Sequence, residues 1–229
     1  MPDVHALLSA SKAHVWLNCT PSARINAEFL EDKKEAAEEG TRAHDQAERL
    51  LKGEIIENPD ENVLVYVNFI RSIQARHPDA KIYVEKQVDY SHIAPRGFGT
   101  SDCIIVTPEI LYIVDYKNGV LDVEVEDNPQ LKLYALGAVR MLGYKGSTVS
   151  LNIVQPKLSP QIKTWETSLY ELIQWGNIIK PKAYMAFDGS GVKHAGDWCK
   201  WCRFKNLCEE KQREFKEKYI DTFLRSIRR

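Results

Sequence analysis

The sequence lacks the marks of several large protein classes. No apolar run approaches the ~18 residues of a membrane-spanning helix, so no membrane association is expected. The first ten residues carry an acid and neither lysine nor arginine, so they make a poor secretory signal, and a cytoplasmic location is expected. The net charge is only −1, from 31 basic and 32 acidic residues, which excludes a uniformly cationic DNA-wrapping protein but permits a local basic groove.

Cysteine is scarce, with five residues in a chain of 229. A chain of this length buries roughly 70% of its unfolded surface and needs no disulfides, so metal ligands or free thiols are expected. Cys199, Cys202 and Cys208 lie close together, and Cys19 lies far upstream. Four thiolates suit either a [4Fe–4S] cluster or structural zinc. Cys103 falls within a predicted strand and is expected to be a small buried apolar residue.

Hydrophobic periodicity predicts helices first, then strands, then alternating strands and helices. The predicted helices span residues 9–18, 32–52 (two helices broken at Gly40), 61–76, 129–144, 168–186 and the last 20 residues; the predicted strands span 81–90, 98–107, 110–118, 147–155 and 161–167. This order indicates an α/β fold with a central mixed sheet flanked by helices. Residues 1–187 would form the main fold. Residues 188–229 would form a cysteine-bearing appendage that packs as part of the same domain.

A group of charged residues lies on two neighbouring predicted strands. Asp115 and Lys117 are two residues apart and therefore share a face. A turn at Pro108-Glu109 would bring Asp102 close to Asp115. Carboxylates at the ends of apolar strands carry a desolvation cost that a divalent cation can offset, since Mg²⁺ binds to one or two carboxylates. An ordinary Asp–Lys ion pair at a strand end is the structural alternative.

Further polar residues surround these strands in the sequence. Glu85, on the preceding strand, offers a third carboxylate, and His44 lies on a helix four residues after Gly40. Gln130 and Tyr134 are four residues apart on a predicted helix and share a face. Each of these, taken alone, is more often a surface or structural residue than part of a site.

Taken together and in order, the motifs resemble a known superfamily. They are Gly40-x-x-x-His44, Gly99-x-x-Asp102, Asp115-Tyr116-Lys117 and Gln130-x-x-x-Tyr134. This series resembles the PD-(D/E)XK nucleases of the RecB-like branch. The surrounding segments HALLSASKAHVWLNCTPSAR, EEGTRAH and EDNPQLKLYALGAV also resemble a phage and prophage family of Cas4-like nucleases. The resemblance covers residues ~5–208.

The resemblance implies a restriction-endonuclease-like core and a metal-dependent deoxyribonuclease. It would be an exonuclease acting on DNA ends in phage-type recombination or repair, in a bacterial or phage-infected cell. Its partners would be DNA and a phage single-strand annealing protein or a separate helicase. The alternative is a non-catalytic DNA-binding or scaffold module that keeps the fold.

The resemblance also assigns roles to residues. The metal ligands for Mg²⁺ or Mn²⁺ would be His44, Asp102, Asp115 and the Tyr116 backbone carbonyl, with Glu85 as a further catalytic carboxylate. Lys117 would position the attacking water or stabilise charge on the phosphate. Gln130 and Tyr134 would contact DNA or brace the site. Cys19, Cys199, Cys202 and Cys208 would bind a structural [4Fe–4S] cluster, with zinc as the lesser alternative.

These residue types suit phosphodiester hydrolysis. Bound divalent ions lower the pKa of water and neutralise phosphate oxygens, and a lysine supplies positive charge where negative charge develops. Burial and a bound metal are both expected to lower the pKa of Lys117.

Overall fold

Five strands form one central sheet. The computed structural model describes residues 6–29 and 35–227, with side chains described for 6–29 and 38–220. The strands are β1 (Lys81–Asp89), β2 (Phe98–Val106), β3 (Ile110–Tyr116), β4 (Thr148–Val154) and β5 (Ile162–Ser168). The helices are α1 (Ala13–Trp16), α2 (Ser22–Ala27), α3 (Glu35–Leu51), α4 (Glu61–Arg76), α5 (Pro129–Leu142), α6 (Leu169–Asp188) and α7 (Glu209–Ile227), with short 3-10 turns at Ala10–Lys12 and Asp197–Trp201.

The sheet is mixed, and its strands lie in the order β1-β2-β3-β4-β5. Three neighbouring pairs are antiparallel, whereas β3 and β4 are parallel. A parallel pair needs a long crossover, and α5 supplies it. The predicted α/β class with a central mixed sheet is therefore confirmed.

Each face of the sheet packs against its own pair of helices. Cys103 and Ile105 of β2 belong to a core cluster with residues of α3 and α4. Ile104, between them, belongs to a second cluster with residues of α5 and α6. This alternation is what the two-residue repeat of a strand produces. Cys103 is fully buried, as the sequence predicts.

The ends of α5 follow helix-capping rules. Asn128 accepts hydrogen bonds from the backbone N–H groups of Gln130 and Leu131, and Pro129 occupies the first turn. Gly143 ends the helix in the left-handed conformation, with φ of 64°. These signals fix where α5 begins, and thereby place Gln130 next to the end of β3.

Gly40 does not divide α3, so the predicted break there is wrong. One helix runs from Glu35 to Leu51. A glycine inside a helix costs only ~1 kcal/mol relative to alanine, which the packing of one helix face outweighs. A Cβ at Gly40 would meet nothing within 4 Å, so no close approach requires glycine at this position.

Among the residues that the structure describes, no helix combines the length and the apolar character needed to cross a bilayer.

Candidate active site

The pairing of β1 with β2 is distorted at Glu85. The strands pair at Val84 with Cys103 and at Lys86 with Ser101, so Glu85 lies opposite Asp102. Glu85 has a φ of 46°, which a non-glycine residue rarely adopts. Such strain costs ~1–3 kcal/mol and is concentrated at functional sites. The distorted backbone places the Glu85 carboxylate beside that of Asp102.

An imidazole from α3 completes a group of three ligand-type side chains. His44 Nδ1 lies 3.7 Å from Glu85 Oε1 and 3.7 Å from Asp102 Oδ1. One ligand atom from each of these residues lies within 4.8 Å of the other two. Two carboxylates and an imidazole suit a divalent cation such as Mn²⁺ or Mg²⁺. The structure therefore contains a candidate metal site at this point.

Aromatic packing holds the His44 ring. The imidazole lies edge-on to the ring of Tyr116, with centroids 5.3 Å apart. Tyr116 in turn packs against Tyr66 of α4 at 5.1 Å. Tyr66 fits the same apolar stripe of α4 as Val63 and Ile70, so periodicity could identify it as a core residue. Its contact with Tyr116 depends on tertiary packing and has no signal in the sequence.

Asp102 is oriented by the backbone of the neighbouring strand. Its Oδ2 accepts a hydrogen bond from the backbone N–H of Tyr116 at 2.7 Å. Regular pairing of β2 with β3 ends at Cys103 and Val114, and the same register places Asp102 opposite Asp115. The expected proximity of the two aspartates is therefore found.

Asp115 is buried and has two polar neighbours. The Gln130 side chain donates a hydrogen bond to Asp115 Oδ1 at 2.8 Å. Lys117 Nζ lies 2.9 Å from Asp115 Oδ2, an ion pair rather than a well-aligned hydrogen bond. Lys117 Nζ also donates to Gln130 Oε1 at 3.4 Å. Asp115 and Lys117 thus share a face, as their spacing predicts.

Negative charge is concentrated here. Burial lowers the pKa of His44, but hydrogen bonding to Glu85 and the charges of Asp102, Glu85 and Asp115 outweigh it and raise the pKa to about 9. Burial and the charge of Asp115 raise the pKa of Asp102 to about 7, against the opposing effects of His44 and Lys117. Carboxylates crowded in this way favour a bound cation.

The neighbouring carboxylates raise the pKa of Lys117, and the expected lowering by a bound metal stays a prediction. Burial does lower it, but the charges of Asp115 and Asp102 outweigh burial. A positive charge on Lys117 suits electrostatic stabilisation of a phosphate.

Tyr134 packs inside the core, beside β2. It is only 6% exposed. A Cβ on Gly99 would lie 3.1 Å from Tyr134 Cε1, so the ring packs closely against the β2 backbone where glycine leaves room. Both expected roles, contact with DNA and bracing of the site, stay predictions for Gln130 and Tyr134.

The cysteine-bearing end of the chain packs against its beginning. Thr20 donates a hydrogen bond to the Ser190 carbonyl at 2.6 Å. The Asn26 side chain accepts from Arg203 N at 2.7 Å and donates to Cys202 Sγ at 3.7 Å.

The thiols of Cys199 and Cys202 lie close enough to Cys19 to affect its pKa. Burial raises the pKa of the Cys19 thiol, and charge on Cys202 and Cys199 adds to the rise. Tetrahedral zinc, with Zn–S bonds of about 2.3 Å, would hold its sulfurs about 4 Å apart. Among the described residues, no three thiols come within 4.8 Å of one another. The donor types fit a metal or cluster, but the sulfurs are not at the spacing of a preformed zinc site.

Comparison with known proteins gives a family and a fold. A family model described as "Protein of unknown function (DUF2800)" matches residues 5–63 and 54–224. The structure of a candidate exonuclease from Eubacterium rectale is 12% identical over 86% of each chain, with a TM-score of 0.50. That of an alkaline exonuclease from Laribacter hongkongensis is 11% identical over 77% of this chain and 92% of its own, with a TM-score of 0.29. The likeness to the first shows a shared α/β fold.

Proposed function

We propose that this chain, which belongs to the DUF2800 family, is a divalent-metal-dependent deoxyribonuclease. One observation carries the proposal: His44, Glu85 and Asp102, from three separate elements, bring their ligand atoms within 4.8 Å of one another. The Asp115–Lys117 ion pair lies on the neighbouring strand. An ordinary strand-end ion pair would require neither the imidazole nor the strained backbone at Glu85.

Each side chain of the candidate site has its own proposed role. His44, Asp102, Asp115 and the Tyr116 carbonyl would hold Mg²⁺ or Mn²⁺, with Glu85 as an additional carboxylate. The bound ion supplies Lewis acidity and lowers the pKa of water. Lys117 places a positive charge where negative charge develops on the phosphate. Gln130 positions both Asp115 and Lys117 through its two hydrogen bonds.

The proposed substrate is DNA, cleaved from its ends. The motif series resembles RecB-like nucleases, and the Eubacterium rectale structure of similar fold is named as a candidate exonuclease. Phage-type recombination or repair is the proposed setting, with a single-strand annealing protein or a separate helicase as partner.

Cleavage of linear duplex DNA tests the function. The protein is incubated with labelled DNA and Mg²⁺ or Mn²⁺, beside Lys117→Ala and the matched control Lys182→Ala, which removes an exposed lysine of α6. We expect wild type and Lys182→Ala to degrade the DNA and Lys117→Ala to lose most activity. If wild type and Lys117→Ala leave the DNA equally intact, the enzyme proposal fails. Binding without cleavage would favour the scaffold alternative.

We also propose that Cys19, Cys199, Cys202 and Cys208 bind a [4Fe–4S] cluster that joins the two ends of the chain. The hydrogen bonds of Asn26, seven residues after Cys19, to Cys202 Sγ and Arg203 N support this, because they bring the early and late cysteine-bearing segments together. Protein purified without oxygen should be brown and hold about four irons per chain. A colourless protein with one zinc per chain would reverse the assignment.

A further inference from the structure

Helix α6 is apolar on two opposite faces. Its inner face is buried in the core through Leu172, Ile179 and Ala183. Its outer face, which we name the α6 stripe, also carries large apolar side chains, and these are exposed: Tyr170 72%, Ile173 40%, Ile178 73%, Tyr184 50% and Met185 41%. A surface helix normally has a polar outer face, and a helix that is apolar all round is normally buried. The α6 stripe therefore has the character of a surface that another molecule covers.

The α6 stripe is nearly symmetric about Asn177, an exposed residue at its centre. Tyr170 and Tyr184 each lie seven residues from Asn177, which is close to two helical turns, so all three follow one line along the helix. Nearer the centre, Ile173 and Pro181 each lie four residues from Asn177. The same apolar pattern is therefore met from either end of the helix.

This symmetry indicates a second copy of the chain as the occupant. A two-fold interface places the same surface of both copies face to face, so that surface must be complementary to itself. If two α6 helices run antiparallel and cross at Asn177, Tyr170 of each copy meets Tyr184 of the other. An unrelated partner would require no such symmetry. The antiparallel arrangement also sets the positive end of each helix dipole beside the negative end of the other.

The centre of the α6 stripe offers polar groups that match each other. Pro181 lies inside the helix and has no N–H, so the Asn177 carbonyl lacks its usual helical donor. The side-chain amide of Asn177 is a donor at the same crossing point, available to that carbonyl in the other copy. A single asparagine within an apolar helix interface fixes the register of the helices. Asn177 is therefore suited to align the two copies.

We propose that this protein forms a two-fold symmetric dimer through antiparallel packing of the α6 stripe, with the two Asn177 residues at the crossing. The dimer carries two candidate active sites. This inference goes beyond the proposed nuclease function and does not depend on it.

Sedimentation velocity of the full chain, from about 1 to 100 µM, tests the dimer. An interface made mainly by one helix of each copy is small, so we expect a dissociation constant in the micromolar range and a passage from monomer to dimer over these concentrations. Tyr170→Glu/Tyr184→Glu places like charges opposite each other at both ends of the crossing, and should dimerise at least ~100-fold more weakly. Ile55→Glu, which charges an aliphatic side chain 96% exposed outside α6, should dimerise like wild type.

A variant with exchanged charges tests the antiparallel register. Tyr170→Glu/Tyr184→Lys brings opposite charges together in the antiparallel dimer but like charges together in a parallel one. We expect it to dimerise at least ~10-fold more tightly than Tyr170→Glu/Tyr184→Glu, with an affinity that falls as salt is added. A wild type that stays monomeric throughout, equal weakening of the two double variants, or loss of the dimer in Ile55→Glu would each overturn the inference. Because no DNA is present, these results are independent of whether the protein cleaves DNA.

Discussion

Replacing Gln130 with leucine should destabilise the protein through Asp115. The variant keeps a side chain of similar size but removes the donor that lies 2.8 Å from Asp115 Oδ1. Asp115 is only 2% exposed, so water cannot readily replace that donor. A hydrogen bond to a charged group contributes ~1.5–3 kcal/mol, and we expect the free energy of unfolding to fall by this amount. For a chain of this size, Tm should fall by roughly 3–12 °C.

A double-mutant cycle measured by urea unfolding isolates the effect. In an Asp115→Asn background the carboxylate charge is gone, and Gln130→Leu should cost only the ~0.5–1.5 kcal/mol of a neutral hydrogen bond. Gln74→Leu, at an exposed position of α4, controls for placing leucine on a helix. Equal costs of Gln130→Leu in the two backgrounds would refute the coupling. Unchanged stability with weakened DNA binding would show that Gln130 contacts DNA instead.

Three further predictions concern the candidate metal ligands and the loop between β3 and α5, residues 117–128. His44→Ala should weaken Mn²⁺ binding at least ~10-fold in calorimetric titration, since even indirect partners of metal ligands contribute that much. Affinity equal to wild type would remove His44 from the site. Glu85→Gly and Glu85→Gln should both weaken Mn²⁺ binding. In urea unfolding, Glu85→Gly should be about 1 kcal/mol more stable than Glu85→Gln, because glycine adopts the positive φ of 46° without strain. A glycine variant less stable than the glutamine variant would contradict the claim that the Glu85 backbone is strained. Gln155→Ala should lower the free energy of unfolding by ~1–3 kcal/mol, because it removes the donors to the Gly119 and Leu121 carbonyls. Unchanged stability in the same assay would show that Gln155 does not hold the loop in place.

The sequence predicts those features of the site that depend on local periodicity. Asp115 and Lys117 share a face because successive strand residues alternate, and the structure puts them in contact. Pro129 marks the first turn of α5, which places Gln130 beside the end of β3. These relations extend over a few residues and need no knowledge of packing.

Features that depend on tertiary structure could not be read from the sequence. Nothing local marks Glu85 for a positive φ, because the distortion arises where β1 meets β2. The predicted helix break at Gly40 is wrong because packing of the helix outweighs the weak local preference of glycine. The charges of Asp115 and Asp102 affect the Lys117 pKa only because the fold brings them close to it.

Anomalous X-ray diffraction from crystals grown with Mn²⁺ would test the candidate metal site most directly. We predict a manganese peak among His44, Glu85 and Asp102, with the Asp102 carboxylate at bonding distance. The same crystals of Asp102→Asn should lose that peak while keeping the fold. No manganese at this point in wild-type crystals, or manganese bound only elsewhere, would contradict the assignment of these side chains as the metal centre.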